Sequence, residues 1–301
     1  MTSYLDQLRL AIETALDRFS TMPVGCPSQL SDAMRYSLLA RGKRLRPLLT
    51  IVAAELCGGK RDDALPAACA VEMIHAYSLI HDDLPAMDND DLRRGQPTCH
   101  VKFGEANAIL AGDALQALAF QTIAANSPSP TIAADCVRIL ADAAGCAGMV
   151  GGQADDMREE LGFKPPNAEQ WLLEIHRRKT GAIIRAALEM GASVAGANEN
   201  QRESLKSYGE HFGLAFQITD DLLDCSGNEA EVGKRLRKDS EQNKLSWTVV
   251  HGIEKSKSDA AKAVEAAIKS IEQFGNPSDA TKRITYEVLV SQAQGLLQRR
   301  K

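Results

Sequence analysis

The chain has 301 residues, with 35 Lys and Arg against 40 Asp and Glu, and a formal net charge of −5. A hydrophobic share of 44% and a charged share of 25% exclude bulk disorder and leave room for one large core or two modest ones. No overall basic field exists to hold nucleic acid or an anionic membrane, and aromatics at 5% offer little surface for stacking bases.

Alanine is abundant and strand-like alternation is scarce, so the periodicity is helical nearly throughout. Breaks fall at Gly25-Cys26-Pro27, Gly58-Gly59, Arg94 to Pro97, Ser127 to Pro130, Gly162 to Asn167, Ala195 to Asn200, Gly227 to Gly233 and Gly275-Asn276-Pro277. They predict about ten helices with short connections, one all-α domain over residues 1–301. Ser278 is placed to cap the last helix. The seven cysteines, Cys26, Cys57, Cys69, Cys99, Cys136, Cys146 and Cys225, include no C-x-x-C pair; several sit in apolar runs and read as small core residues, and a reducing compartment fits them. The opening residues do not form a secretory leader, and no run of about eighteen apolar residues is present. A cytoplasmic protein without a membrane span is expected.

Taken in chain order, the first chemical feature is Gly42-Lys43-Arg44-Leu45-Arg46-Pro47. It puts three cations at a helix start, a ready anion site. Leu65 to Ile80 is apolar almost all round, with Glu72 and His75 as exceptions, which predicts a helix buried on every side. It runs through Tyr77 and Ser78 into His81-Asp82-Asp83-Leu84-Pro85-Ala86-Met87-Asp88-Asn89-Asp90-Asp91. Five aspartates in those last ten residues repel one another, and hard oxygen ligands at the end of a buried helix suit Mg²⁺. Arg93-Arg94-Gly95 follows at once.

Asp155-Asp156, beside Arg158, Glu159 and Glu160, reads as a solvated charge run. His176-Arg177-Arg178-Lys179-Thr180-Gly181 is a further basic knot. A second acidic cluster, Gln217-Ile218-Thr219-Asp220-Asp221-Leu222-Leu223-Asp224, again closes an apolar helix. Asp220 and Asp224 share one face, and Lys234 and Lys244 follow. Carboxylates interleaved with arginine forks and lysines point to a divalent ion bridging a polyanionic, phosphate-bearing ligand. The histidines are too dispersed for a zinc site.

At these residues the sequence resembles the trans-isoprenyl diphosphate synthases, most of all the bacterial farnesyl diphosphate synthases. The resemblance runs through nearly the whole chain. It is carried by Gly42 to Pro47, the D-D-x4-D of Asp82, Asp83 and Asp88, Arg93-Arg94-Gly95, Pro97-Thr98-Cys99-His100, Lys179-Thr180-Gly181, and Gln217 with the D-D-x-x-D of Asp220, Asp221 and Asp224. It implies the isoprenoid synthase fold, a single all-α domain around a deep central cavity, as a homodimer. Asp82, Asp88 and Asp220 would then ligate a trinuclear Mg²⁺ cluster on the allylic diphosphate, supported by Asp83, Asp221 and Asp224. Arg93, Lys179, Gln217, Lys234 and Lys244 would contact that substrate. Gly42, Lys43, Arg46, His75 and Arg94 would hold isopentenyl diphosphate, with Thr180 and Gln217 near the carbocation.

The resemblance breaks in one stretch. Arg237 and Asn243 stand where relatives usually carry glycine, and Leu245-Ser246-Trp247-Thr248 departs from the usual Ser/Thr-Thr-Tyr-Pro. Tyr77 reads as an aromatic floor beneath Ser78 and Asp82. In the family it resembles, an aromatic five residues before the first aspartate goes with short products, so the resemblance implies a C15 product, farnesyl diphosphate, from dimethylallyl and geranyl diphosphate, with a geranylgeranyl diphosphate synthase as the alternative. Readings of another class are an HD-type metal phosphohydrolase, from His81-Asp82, a terpene cyclase, and a silent helical partner subunit.

Overall fold

The computed structural model describes residues 2–160, 162–226, 245–275 and 279–299. Twelve α-helices of eight residues or more account for most of them. The chain opens with α1 (Thr2–Phe19), α2 (Ser28–Leu38), α3 (Leu45–Leu56) and α4 (Arg61–Asp82). A small antiparallel pair, β1 (Leu92–Arg93) and β2 (Gln96–Pro97), leads to the short α5 (Cys99–Phe103). Then come α6 (Glu105–Asn126), α7 (Pro130–Ala144), α8 (Met149–Glu160) and α9 (Ala168–Ile175). A π-helical turn (His176–Gly181) joins α9 to α10 (Ala182–Val194), which precedes α11 (Glu199–Ser226). The short α12 (Trp247–His251), α13 (Ile253–Ser270), a 3₁₀ turn (Glu272–Phe274) and α14 (Ala280–Leu296) complete it.

The all-α reading holds, with more helices than the punctuation suggests. Gly104 and Gly252, with φ of +83° and +77°, each end one helix and begin the next. Most predicted ends have a visible cause. Ser129 accepts from the Ile132 N–H with Pro130 as the first helical residue, and Asn167 accepts from the Gln170 N–H. The last helix is capped by Asp279, whose side chain accepts from the Lys282 N–H, while Ser278 lies outside the described residues. All seven cysteines are free thiols.

The helix expected to be buried on all sides is so. Six helices pack around α4: α1, α2, α3, α6, α7 and α10. Its residues from Ala64 to Ile74 are all buried, as are Ala76, Tyr77 and Ile80. An apolar rod this enclosed fixes the position of its own C-terminal end, where Asp82 lies. A smaller cluster, Leu172, Ile218, Trp247 and Ala260, does the same for the end of α11. Among the described residues, α6 alone is long and apolar enough to cross a membrane by length and composition; 39% of that window is buried. It runs along α4, α2 and α7.

Helices α3 and α10 cross in close contact at Gly191. A Cβ there would lie 2.1 Å from the Thr50 carbonyl oxygen and 2.9 Å from the Ala53 Cβ. Gly191→Ala forces the two helices apart, an overpacking cost of about 1–3 kcal/mol or more. Thermal denaturation should show Tm falling by roughly 5 °C or more. An unchanged Tm would mean that the two backbones do not meet there.

Candidate active site

The first acidic cluster begins where α4 ends. The chain then folds back on itself: the Asp88 N–H donates to the Asp82 carbonyl at 2.8 Å, and the Asp90 N–H to the Asp83 carbonyl at 3.2 Å. Asn89 supplies the left-handed corner, with φ +51°. This return brings Asp88 beside Asp82 although the two are not in helical register. Burial, and then the Asp88 charge, push the Asp82 carboxyl up to about 6 against the pull of Lys179.

Asp83 has a different fate. Arg93 grips it in a fork, Nε donating to both carboxylate oxygens at 2.8 and 2.9 Å and Nη2 to Oδ1 at 2.5 Å. Burial holds the Asp83 carboxyl above its usual range while Arg93 draws it down. Arg93 is thus engaged with the protein itself here.

The π turn stands between the two acidic clusters. Lys179 faces Asp82 on one side and donates to Asp156 Oδ2 at 2.6 Å on the other. Asp156 is 6% exposed, so the solvated reading of Asp155-Asp156 is corrected. Asp155 meets Arg178 at 3.0 Å, and both aspartates of α8 anchor the basic turn. Spacing along one chain could not show that this run faces another. Thr180 is buried within the turn. Gln153, one helical turn before Asp156, keeps both side-chain amide atoms buried with no hydrogen-bond partner. It was missed because a single glutamine in a glycine-rich stretch carries no charge signal.

At the turn's start, the buried His176 is held neutral, its imidazole pushed down to about 4 by burial. Its Nε2 lies 3.8 Å from Asp221 Oδ2, and its ring stacks on Trp247 at 5.9 Å. The Trp247 backbone N–H donates to Asp221 at 2.6 Å. The unusual Leu245-Ser246-Trp247-Thr248 stretch therefore supports the second acidic cluster. Ser246 caps α12, and the Trp247 indole donates to Asp259 at 3.2 Å. Gln217, Asp220 and Asp224 are half-buried on α11. Asp220 lies 3.4 Å from Arg299, whose guanidinium covers the Phe216 ring at 4.4 Å. Nothing in the local pattern singled out Arg299 from its basic neighbours at the chain end. Lys234, Lys244, Arg237 and Asn243 lie outside the described residues.

The basic complement is gathered as well. Lys43 is close enough to feel both Arg299 and Asp220, although burial is the larger influence and lowers its affinity for a proton. His75 is held neutral well below the ordinary histidine range, first by burial and then by Arg46, Arg94, Arg93 and Arg44. Arg94, at φ +55°, donates to the Arg41 carbonyl at 2.7 Å and passes directly over Gly42. A Cβ on Gly42 would sit 2.7 Å from its Nη1, so glycine there makes room for the arginine. Arg44 is not part of the exposed cation set: it is buried against Glu13 and Glu72.

Tyr77 lies one helical turn below His81, 5% exposed, its ring edge-on to the imidazole at 5.7 Å. Its hydroxyl is buried without a well-formed hydrogen bond, with Gln116 of α6 as its polar neighbour. Ser78 donates to the His75 carbonyl at 3.0 Å. His81 turns away from the acidic cluster, Nε2 against the Ile109 carbonyl at 3.1 Å.

A polyprenyl synthetase family model matches residues 27–286. The chain belongs to that family. It is 46% identical to a farnesyl diphosphate synthase of Geobacillus stearothermophilus, over 88% of this chain and 89% of the relative. It is also 45% identical to a geranylgeranyl pyrophosphate synthase of Arabidopsis thaliana, over 91% of this chain and 78% of that one. A solved geranyltransferase from Helicobacter pylori, complexed with magnesium and isoprenyl diphosphate, is 30% identical with a TM-score of 0.85, each chain covered to 97%. This polyprenyl synthetase is a prenyltransferase, and relatives of two product lengths stand equally near it.

The raised Asp82 carboxyl has a consequence for stability. Its folded value of about 6 exceeds the unfolded value of 3.8, so ionising it in the fold is unfavourable. The penalty is complete above pH 6 and vanishes below about pH 4, where both states hold the proton. Asp82→Asn should raise the Tm of metal-free protein at pH 7 to 8, and the gain should shrink as pH falls through 6 to 4. A gain independent of pH would show that the carboxyl is not strained.

Proposed function

We propose that the chain joins isopentenyl diphosphate to dimethylallyl and then geranyl diphosphate, giving (2E,6E)-farnesyl diphosphate. One observation supports this most: a single π turn borders both acidic helix ends and carries Lys179 between Asp82 and Asp156. Opposed carboxylates with cations between them fit a metal-bridged diphosphate better than a solvated surface would.

Among the described residues no three His, Cys, Asp or Glu side chains form a ready-made metal cage. Mg²⁺ needs none, since it is commonly held by one or two carboxylates together with substrate phosphates. The crowding of Asp82 against Asp88 fits such a cation, because two carboxylates pressed together need positive charge. Asp82, Asp88 and Asp220 would hold three ions with the allylic diphosphate. The ions would neutralise charge on the leaving diphosphate.

The other roles belong to the chain itself. Lys179, with Arg93, Gln217, Lys234 and Lys244, contacts the allylic diphosphate as its C–O bond breaks. Gly42, Lys43, Arg46, His75 and Arg94 hold the second diphosphate so that its double bond reaches the allylic carbon and the new C–C bond forms. Neutral His75 can accept or donate a hydrogen bond beside the arginines without adding charge. The departing diphosphate takes the proton lost at the end. Thr180 and the apolar face of α4 keep water off the cation. Asp83, Asp221 and Asp224 steady the ligating carboxylates.

Tyr77 favours the C15 product over the geranylgeranyl alternative, because a buried aromatic lies one to two helical turns inside Asp82. The phosphohydrolase reading is disfavoured by His81, which faces α6 rather than the aspartates. A terpene cyclase would have no use for a second basic pocket, and a silent subunit would have no use for intact aspartates. We propose that the chain works as one domain, in the cytoplasm. A second copy would cover the outer face of α6, where Ile109 and Leu110 are 44% and 53% exposed.

Purified protein, Mg²⁺, labelled isopentenyl diphosphate and each allylic primer test the proposal through product length. The wild type should stop at C15, and Tyr77→Ala should pass on to C20 or beyond. Persistence at C15 would remove Tyr77 as the floor. Leu110→Asp should convert a dimer to a monomer in analytical ultracentrifugation, and an unchanged sedimentation coefficient would place the interface elsewhere.

A further inference from the structure

Glu72 is a carboxylate in the most enclosed helix of the chain, and the proposed reaction gives it no role. Its side chain is 5% exposed and accepts from Arg44 Nη1 at 2.9 Å. The same guanidinium donates from Nε to Glu13 Oε1 at 2.8 Å, and from Nη2 to Glu13 Oε2 at 3.3 Å and the Ala40 carbonyl at 2.8 Å. One side chain thereby fastens α1, the segment after α2, and α4. Arg44 also has a left-handed backbone, φ +50° and ψ +40°, immediately before α3. Non-glycine residues adopt that conformation only where surroundings enforce it, and it sets how Lys43 and Arg46 project on either side. A buried ion pair adds little net stability against well-packed apolar groups, so fixing geometry is the better account of this one.

We propose that Glu72, acting through Arg44, is a positioning residue for the homoallylic diphosphate substrate: it fixes the left-handed turn that aims Lys43 and Arg46 at the substrate's diphosphate. This rests on the reading that Lys43 and Arg46 hold isopentenyl diphosphate. It concerns a carboxylate to which that reading assigns no substrate contact. Burial of Arg46 next to the charges of Glu72 and Arg94 agrees with it.

Glu72→Gln keeps the shape and removes the charge. The KM for isopentenyl diphosphate should rise roughly tenfold, while kcat and the allylic KM stay within about twofold. Calorimetric titration of isopentenyl diphosphate into the protein without allylic substrate should show the same loss. A merely structural role would lower Tm without separating the two substrates. An equal rise in both KM values, or an unchanged isopentenyl KM, overturns the proposal. Arg46→Ala is measured alongside. If it leaves isopentenyl binding intact, the reading of the pocket fails and takes the proposal with it. If it weakens binding and Glu72→Gln does not, only the positioning role fails. Should Glu72→Gln give no soluble protein, Glu13→Gln removes the half-exposed limb of the same network. A rise of roughly two- to threefold confined to the isopentenyl KM then supports the proposal, and no rise overturns it.

Discussion

The constraint on which the site depends is electrostatic crowding held in place by apolar burial. Aspartates at the end of α4 repel one another, and burial first, then the Asp88 charge, raise the affinity of the Asp82 carboxyl for its proton. Left to itself, a chain end of this kind would turn outward into water. It cannot, because α4 is enclosed by six other helices over most of its length. Hydrophobic contact along the rod opposes the repulsion at its tip, so stability from the core is spent on a site that favours cations.

Backbone strain is distributed in the same way. Among the described residues the non-glycine positions of positive φ are Arg44, Asn89 and Arg94. All three lie in the segments that frame the candidate site. Each is held by specific bonds: Arg44 by Glu13 and Glu72, Asn89 by its N–H to the Leu84 carbonyl, Arg94 by the Arg41 carbonyl. Strain in three neighbouring segments, each over-determined by partners, indicates loops shaped before any ligand arrives.

Much of this was legible in the sequence because it is written in local pattern. The buried helix, its aspartate-laden end, the second cluster and the interleaved cations follow from periodicity and charge, and so do most helix ends. What was not legible depends on one segment meeting another. Asp155-Asp156 has the composition of a solvated run, and only the approach of α8 to the π turn makes Asp156 the buried partner of Lys179. Arg44 has the look of a ligand-binding cation, yet two carboxylates from distant helices claim it. Trp247 read as a departure from the family pattern, and its backbone N–H proves to hold Asp221.

The two acidic motifs share a division of labour that their spacing alone does not state. Each opens with a pair of adjacent aspartates, and successive helical side chains point about 100° apart, so the two cannot face the same way. In each pair the second is turned inward. Asp83 is 3% exposed and bound by Arg93, while Asp221 is 9% exposed and takes the Trp247 N–H. The first of each pair, Asp82 and Asp220, is the less buried, and faces Lys179 in one case and Lys43 and Arg299 in the other. An inward carboxylate satisfied by a fixed donor acts as a peg that sets the rotation of the helix end. Its outward neighbour is thereby presented in a defined direction. The doubled aspartate is explained by this pairing of an anchored carboxylate with an outward-facing one better than by a need for more negative charge, which would only add to the repulsion that α4 already has to contain.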